Sequence, residues 1–231
     1  GDCFYMGFEA CRIALEYMIP VMLLSDGYLA NGSEPWEVPN IKSLPKIKTK
    51  KIDTCSDKFM PYRRDEDTLA RPWAVPGIKG LEHRIGGLET EDVSGDVSYD
   101  PDNHEHMVHL RNKKIEAVLS TVPDIVPFGD TSGDTLVIGW GSTYGAIRTA
   151  VEKAREEGRS VSHIQLRYVN PLPKNLGDLL LKYKRVIVPE LNLGQLNSIL
   201  RSKYLIDSIG LNKVQGKPIT VGEIYNKIIE E

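Results

Sequence analysis

Cysteine is scarce in this 231-residue sequence: Cys3, Cys11 and Cys55 are the only three, no two stand in Cys-x-x-Cys spacing, and no signal-peptide pattern opens the chain. Three thiols cannot build a disulfide framework, and they cannot supply the four thiolates of a self-contained zinc or iron–sulfur site. The expected compartment is a reducing cytoplasm. Long apolar runs are missing too. The longest, Tyr17 to Leu24, falls far short of the roughly 20 residues that crossing a bilayer requires. An excess of one charge is absent as well, with 29 Lys+Arg against 32 Asp+Glu. That balance leaves no basic footprint for nucleic acid. What remains, at 41% hydrophobic and 26% charged, is the composition of an ordinary globular chain of one or two domains.

Periodicity divides the chain. Residues 1 to 18 read as a helix with Phe8, Cys11, Leu15 and Met18 on one face. Pro20 stops it, and Val21-Met22-Leu23-Leu24-Ser25-Asp26-Gly27 reads as a short buried parallel strand ended by a turn. A lone helix and strand cannot bury both faces of anything. They are expected to pack on a sheet whose other strands lie outside this sequence, or to join the C-terminal sheet. From Tyr28 to about Asp100 the pattern lapses over a stretch holding six of the fourteen prolines. That is too long for a normal loop. Trp36, Phe59, Tyr62, Trp73 and Tyr99 are spread along it and need a surface to bury against, so the expectation is a long extended arm laid over neighbouring domains or a partner subunit. Lys42, Lys46, Lys48, Lys50 and Lys51 read as its solvated part. Asp102 to Leu119 then reads as a connecting helix with Asp102 as N-cap and Met107, Leu110, Ile115 and Val118 as apolar positions.

After Asp134 strands and helices alternate. Thr135–Gly139, Val161–Val169, Arg185–Pro189 and Leu211–Val214 read as strands; a helix striped by Ile147, Ala150, Val151 and Ala154 and closed by Gly158, then Leu176–Tyr183, Gln195–Tyr204 and Val221–Ile229, read as helices. Alternation of this length means βαβ units and a mostly parallel sheet of four or five strands.

Motifs for chemistry mostly fail. His104-Glu105-His106-Met107-Val108-His109 lacks the two histidines four apart that a zincin needs, because Val occupies position 108. Gly139-Trp140-Gly141-Ser142-Thr143-Tyr144-Gly145 follows a strand and opens a helix, where backbone N–H groups can meet an anion. Its third glycine comes four residues after the second instead of three, and Gln165-Leu166-Arg167-Tyr168 stands where a dinucleotide site wants an acid. No Gly-Lys-Ser/Thr occurs, so a P-loop is excluded. Gly139, Gly141, Ser142 and Thr143 therefore read as a tight turn serving packing or a subunit interface, with weak anion affinity as the other reading. Val188-Pro189-Glu190-Leu191-Asn192-Leu193-Gly194-Gln195-Leu196 occupies the same carboxyl edge. Glu190 and Asn192 are candidate ligand contacts there, or capping and turn residues that need no ligand.

Certain strings carry further. Leu23-Leu24-Ser25-Asp26-Gly27-Tyr28-Leu29-Ala30-Asn31-Gly32-Ser33-Glu34-Pro35-Trp36 resembles the end of the pyrimidine-binding thiamine domain in the α subunit of 2-oxoacid:ferredoxin oxidoreductases, especially the 2-oxoglutarate type. Leu69-Ala70-Arg71-Pro72-Trp73, Gly80-Leu81-Glu82-His83-Arg84-Ile85-Gly86-Gly87-Leu88 and His104-Glu105-His106-Met107-Val108 resemble that subunit's arm in the same order. Val137-Ile138-Gly139-Trp140-Gly141-Ser142, Leu166-Arg167-Tyr168-Val169-Asn170-Pro171-Leu172-Pro173 and Val188 to Leu196 resemble its last domain, a relative of the transketolase C-terminal domain.

The resemblance implies an α/β fold. Residues 1–30 would close a thiamine-binding (pyrimidine) domain with its last helix and strand, 31–130 would be an extended arm with a connecting helix, and 131–231 a transketolase-C-like, mostly parallel sheet with helices on both faces. It also implies oxidative decarboxylation of a 2-oxoacid with coenzyme A to acyl-CoA and CO2, electrons passing to ferredoxin. Thiamine diphosphate, Mg2+, a [4Fe-4S] cluster and coenzyme A would belong to the whole complex, with none held by this C-terminal fragment, which would be mainly structural and inactive alone. The implied partners are a β subunit, in a dimer of heterodimers, and ferredoxin, with no nucleic acid and no membrane. No catalytic residue and no metal ligand is assigned. The alternative is a free-standing nucleotide-binding module that uses Gly139, Gly141 and Ser142.

Overall fold

The computed structural model describes residues 1–54 and 58–230. Cys55 therefore lies outside the described residues. The chain divides into two compact units, Gly1–Leu23 with Pro35–Thr121, and Leu24–Glu34 with Val122–Glu231.

In the first unit, helix α1 runs from Asp2 to Tyr17 and ends on Met18 in the left-handed conformation, φ 50°. Its buried side chains are Ile13 and Tyr17. The stripe expected from Phe8, Cys11, Leu15 and Met18 is not the inner one: Cys11 and Leu15 are exposed. A stripe one step round the helix wins because Tyr17 brings a polar tip that pairs with Ser120 Oγ at 3.1 Å while its ring is buried. Helix α3, Pro101–Ala117, starts one residue earlier than expected: Asp100 is its N-cap, accepting from Asp102 N at 3.0 Å, with Pro101 in the first turn. Asp102 is thus a first-turn acid and not the cap. Proline at that position has no N–H to satisfy, which favours Asp100 as cap. Met107 is the fully buried position of α3, whereas Ile115 is exposed.

Between these helices the chain has little regular structure beyond a two-stranded parallel pair, β1 (Lys51–Ile52) and β2 (Trp73–Ala74). Of the aromatics that needed a surface, Trp36 stacks on Phe4 with centroids 5.4 Å apart, and Trp73 Nε1 donates to Leu15 O at 2.9 Å. Tyr99 is an exception, 87% exposed. The lysines Lys42, Lys46, Lys48, Lys50 and Lys51 are all exposed, and Lys50 is paired with Asp65.

Val21–Leu24 does not form the expected strand, either by itself or in the C-terminal sheet. Met22, Leu23 and Leu24 are exposed. A strand needs a ladder partner, and none stands beside this run among the described residues.

In the second unit, β3 (Gly133–Trp140), β4 (Val161–Leu166), β5 (Tyr183–Glu190) and β6 (Ile209–Asn212) form one fully parallel sheet in the order β4-β3-β5-β6. Side chains alternate between its faces. Leu136 and Ile138 of β3 meet Leu176, Leu180, Leu196 and Leu200, from helices α5 (Leu176–Leu180) and α6 (Gln195–Tyr204). Val137 of the same strand faces Ile147, Ala150 and Val151 of helix α4 (Tyr144–Glu156) and Ile224 and Ile228 of helix α7 (Val221–Ile229). The sheet therefore carries helices on both faces. Gly158, at φ 84°, ends the α4 connection, a conformation that costs glycine little. The second strand stops at Leu166, and residues 167–169 leave the ladder. Thr220 and Glu223 close a reciprocal capping box on α7. A further short helix, α2 (Gly27–Asn31), belongs to this unit and starts at Asp26.

Candidate functional site

The chain leaves β3 for its β4 neighbour on one side and reaches β5 on the other. Ligands of open α/β sheets enter the crevice where strand order reverses, outside the carboxyl ends. Here those ends are Trp140 of β3 and Glu190 of β5, so all six candidate residues, Gly139, Gly141, Ser142, Thr143, Glu190 and Asn192, surround one place.

The crevice is closed by the chain's own groups. Glu190 is completely buried. Its Oε1 accepts from Trp140 Nε1 at 3.3 Å, Asn192 Nδ2 at 3.1 Å and Leu196 N at 2.9 Å, and its Oε2 from Asn197 N at 3.0 Å. A buried carboxylate is tolerable when its lone pairs are filled this way, and the N-terminus of α6 favours its charge. Asn192 Oδ1 takes two more N–H groups of the same turn, from Gly194 at 2.7 Å and Gln195 at 3.0 Å. The start of α6 thus offers its donors inward.

The β3–α4 turn is similarly engaged. Gly139 is glycine for lack of space: a Cβ there would stand 2.3 Å from Ile147 Cδ1 and 2.9 Å from Thr143 Oγ1. Gly141 has φ 59°, and its carbonyl accepts from Gln165 Nε2 at 3.0 Å. Thr143 Oγ1 donates to Trp140 O at 2.9 Å, which ties the turn to the strand end. Ser142 N donates to Asp26 Oδ2 at 3.3 Å, and the other oxygen of Asp26 caps α2 by accepting from Leu29 N at 3.0 Å. Burial works to raise the Asp26 carboxyl, yet hydrogen bonds from Ser142 and from the backbone of Leu29 and Tyr28 outweigh it and hold it below the ordinary aspartate value. An internal carboxylate therefore sits where an anionic ligand would approach.

Three residues of this neighbourhood escaped the sequence reading. Asp26 read only as a turn signal, although an Asp before Gly27-Tyr28-Leu29 also fits an N-cap. Trp140 read as part of a glycine string, while its indole is the lid over Glu190. His163 read as an ordinary strand residue. It is 2% exposed, its Nε2 and the neighbouring Gln165 Oε1 are buried without hydrogen-bond partners, and the Tyr144 ring covers it with centroids 5.6 Å apart. Burial pushes the imidazole down to about 4; the Gln165 amide opposes the shift and Arg148 adds to it. A titratable residue inside a predicted buried strand was the available signal.

The histidines of α3 are on the surface. His104 pairs with Glu89 at 2.7 Å, His106 with Asp92 at 2.9 Å and His109 with Glu105 at 3.7 Å. Among the described residues no group of three His, Cys, Asp or Glu side chains converges to hold a metal, and no helix is long and apolar enough to cross a membrane.

Known proteins resemble the chain along nearly its whole length. Residues 1–99 match the family model described as pyruvate flavodoxin/ferredoxin oxidoreductase, thiamine diP-binding, and residues 133–224 the one described as pyruvate:ferredoxin oxidoreductase core domain II. The chain is 52% identical over 226 residues to 2-oxoglutarate oxidoreductase subunit KorA of Mycobacterium tuberculosis, an overlap of 97% of this chain and 34% of that protein. It is 31% identical over 241 residues to 2-oxoacid:ferredoxin oxidoreductase 2, subunit alpha, of Aeropyrum pernix, covering 98% of this chain and 36% of the relative. Among solved structures, 2-oxoglutarate:ferredoxin oxidoreductase from Magnetococcus marinus, with 2-oxoglutarate, coenzyme A and succinyl-CoA bound, superposes on 98% of the chain at a TM-score of 0.91 and 31% identity, over 40% of its own length. The chain spans about a third of the length of these two curated relatives. Similarity of this extent, carried by both units, has one consequence: the chain belongs to the α-subunit family of the 2-oxoacid:ferredoxin oxidoreductases.

Proposed function

We propose that the chain is part of the α subunit of a 2-oxoglutarate:ferredoxin oxidoreductase, which converts 2-oxoglutarate and coenzyme A to succinyl-CoA and CO2 and passes two electrons to ferredoxin. The observation that carries this reading is the 52% identity across 97% of the chain with a 2-oxoglutarate oxidoreductase subunit. In this reading residues 1–30 end a thiamine-binding domain, 31–130 form the arm and 131–231 a transketolase-C-like domain. The partners are a β subunit, in a dimer of heterodimers, and ferredoxin, in the cytoplasm.

The described residues do not fit the inorganic groups of such an enzyme. A [4Fe-4S] cluster needs four thiolates, and Cys3 and Cys11 are two exposed ones on α1. Magnesium needs converging oxygens, and no such group is present among the described residues. The single buried acid among them, Glu190, has its oxygens taken by four donors. In this reading the cluster and Mg2+ belong to other parts of the complex, as do thiamine diphosphate and coenzyme A. The role of this chain is to hold structure: Asp26 fastens Leu24–Glu34 to the β3–α4 turn, and Glu190 locks β5 to α6. The alternative, a nucleotide-binding module built on Gly139, Gly141 and Ser142, is disfavoured because Asp26 already occupies the approach to that turn.

The test is the full-length subunit purified with its partner and assayed for coenzyme A-dependent reduction of a low-potential dye by each 2-oxoacid in turn. Turnover with 2-oxoglutarate above the other acids supports the reading. Turnover with another acid alone would correct the substrate, and no turnover in a complex holding thiamine diphosphate and its cluster would overturn the activity.

A further inference from the structure

In the first unit, two guanidinium groups lie over Tyr62, and a lysine falls within their field. The Arg71 guanidinium lies over the Tyr62 ring at 4.4 Å and that of Arg64 at 5.4 Å. Arg64 Nη1 also donates to Tyr62 O at 3.2 Å and to Asp92 Oδ1 at 2.5 Å. Lys114, on α3, donates to Met18 O at the end of α1, at 2.8 Å. Burial, and then the charges of Arg64 and Arg71, draw the Lys114 ammonium down to about 8. All three therefore share one electrostatic neighbourhood.

Counter-charge is short. Asp92 is the acid of this cluster, and it is spent: Oδ1 serves Arg64 while Oδ2 serves His106 at 2.9 Å. Asp65, six residues before Arg71, is paired with Lys50. Glu89 is taken by His104 and by Arg111 at 3.1 Å. Three cations against one carboxylate leave two positive charges unmatched. Arg71 is half-buried, and among the described residues its guanidinium has no acceptor, only the ring it stacks on. Stacking fixes the plane of the fork and leaves its edge donors free, the arrangement that suits bidentate capture of an oxyanion. A half-buried cation kept without a partner is costly, and clustering it with a second such group adds repulsion. An anionic ligand relieves both.

We propose that Arg71 and Lys114, with Arg64 held beside them on Tyr62, form a binding site for a phosphate group. Two unmatched charges fit a phosphate monoester, which carries about −1.5 to −2 at neutral pH, better than a single carboxylate. Arg71 supplies the fork, Lys114 a point charge, and Arg64 the background field. The site is separate from the sheet crevice, and it stands whether or not the oxidoreductase reading holds.

The experiment is titration calorimetry of the full-length natural subunit with inorganic phosphate, and with acetate at matched ionic strength. Phosphate should give saturable heat, and Arg71→Gln and Lys114→Gln should each weaken it about tenfold or more. Lys184→Gln, an exposed residue of the other unit, should leave it unchanged. Arg71→Lys keeps the charge but loses the fork, and should fall between. If Arg71→Gln fails to fold, Lys114→Gln carries the test, because its side chain is bonded to one backbone carbonyl only. Equal binding of acetate would replace phosphate by a carboxylate and overturn the assignment. Absence of phosphate heat would do the same, meaning that an acidic side chain elsewhere in the whole subunit fills the place.

Discussion

His163 should make the α/β unit lose stability in mild acid. The imidazole is buried beneath Tyr144 with an unpartnered Nε2, and it titrates at about 4 instead of 6.5. In the unfolded chain it takes up a proton below about 6.5; in the folded chain it resists until about 4. The unfolded state therefore binds more protons between those values, so stability is fully present above about 6.5 and is lost as pH falls toward 4. Integrating the two titrations gives a loss of about 2 kcal/mol at pH 5 relative to pH 7, and about 3 kcal/mol below pH 4. The perturbation is His163→Leu, which removes the titrating group and its orphaned nitrogen at similar volume. The assay is urea-dependent amide exchange in peptides from β3 and β4, at pH 7 and pH 5. With a slope of about 2 kcal/mol per molar urea, the parent midpoint should drop by about 1 M more than that of the variant. Asp65 and Glu89, whose lowered values place their titration further into acid, act on parent and variant alike. An identical pH shift in both proteins would refute the claim that a buried neutral His163 sets this sensitivity.

Other perturbations have sharper structural readings. Glu190→Ala strands four donors and should cost about 3–5 kcal/mol, whereas Glu190→Gln keeps an acceptor for most of them and should cost about 2 kcal/mol; equal urea midpoints for parent and Glu190→Ala would contradict the hydrogen-bond assignment. Gly139→Ala forces a methyl into Ile147 and Thr143 and should destabilise by about 1–3 kcal/mol, visible as a lower melting temperature. Asp26→Ala removes both the α2 cap and the bond to Ser142, a loss of about 1 kcal/mol, and should speed limited proteolysis within residues 27–34. Unchanged cleavage there would mean that other contacts hold the segment.

Legibility followed burial. Helices α6 and α7 stand at the bounds their periodicity predicts, Gln195–Tyr204 and Val221–Ile229, because one face of each is held by a continuous core. Strands β3, β4 and β5 were readable as apolar runs, for both of their faces are covered, whereas β6, a partly buried edge strand, begins two residues before its expected place. Val21–Leu24 has the same composition and pairs with no strand among the described residues, since hydrophobicity marks what could pair and says nothing of whether a neighbour is there. The N-cap of α3 moved from Asp102 to Asp100 because two acids two residues apart compete and proline between them decides. At the crevice, the string Gly139 to Thr143 and the pair Glu190 and Asn192 fall together at the carboxyl ends of β3 and β5. Their partners did not follow, because Asp26 lies 116 residues before Ser142 and no local pattern announces a contact of that span. The Tyr62 cluster was invisible for a similar reason: Arg64, Arg71 and Lys114 are brought together by an irregular stretch of backbone that carries no period.

That long-range bond also bears on the order in which the molecule is made. Residues 24–34 belong to a unit whose remaining residues begin at Val122, while the segments on either side of them belong to the other unit. On a ribosome adding about 5–20 residues per second, roughly 6 to 23 s separate the appearance of Asp26 from that of Ser142. For that interval α2, only five residues long and too short to persist alone, has no docking place. The unit that holds residues 24–34 is therefore completed out of chain order, closing only after the whole of the other unit has been made.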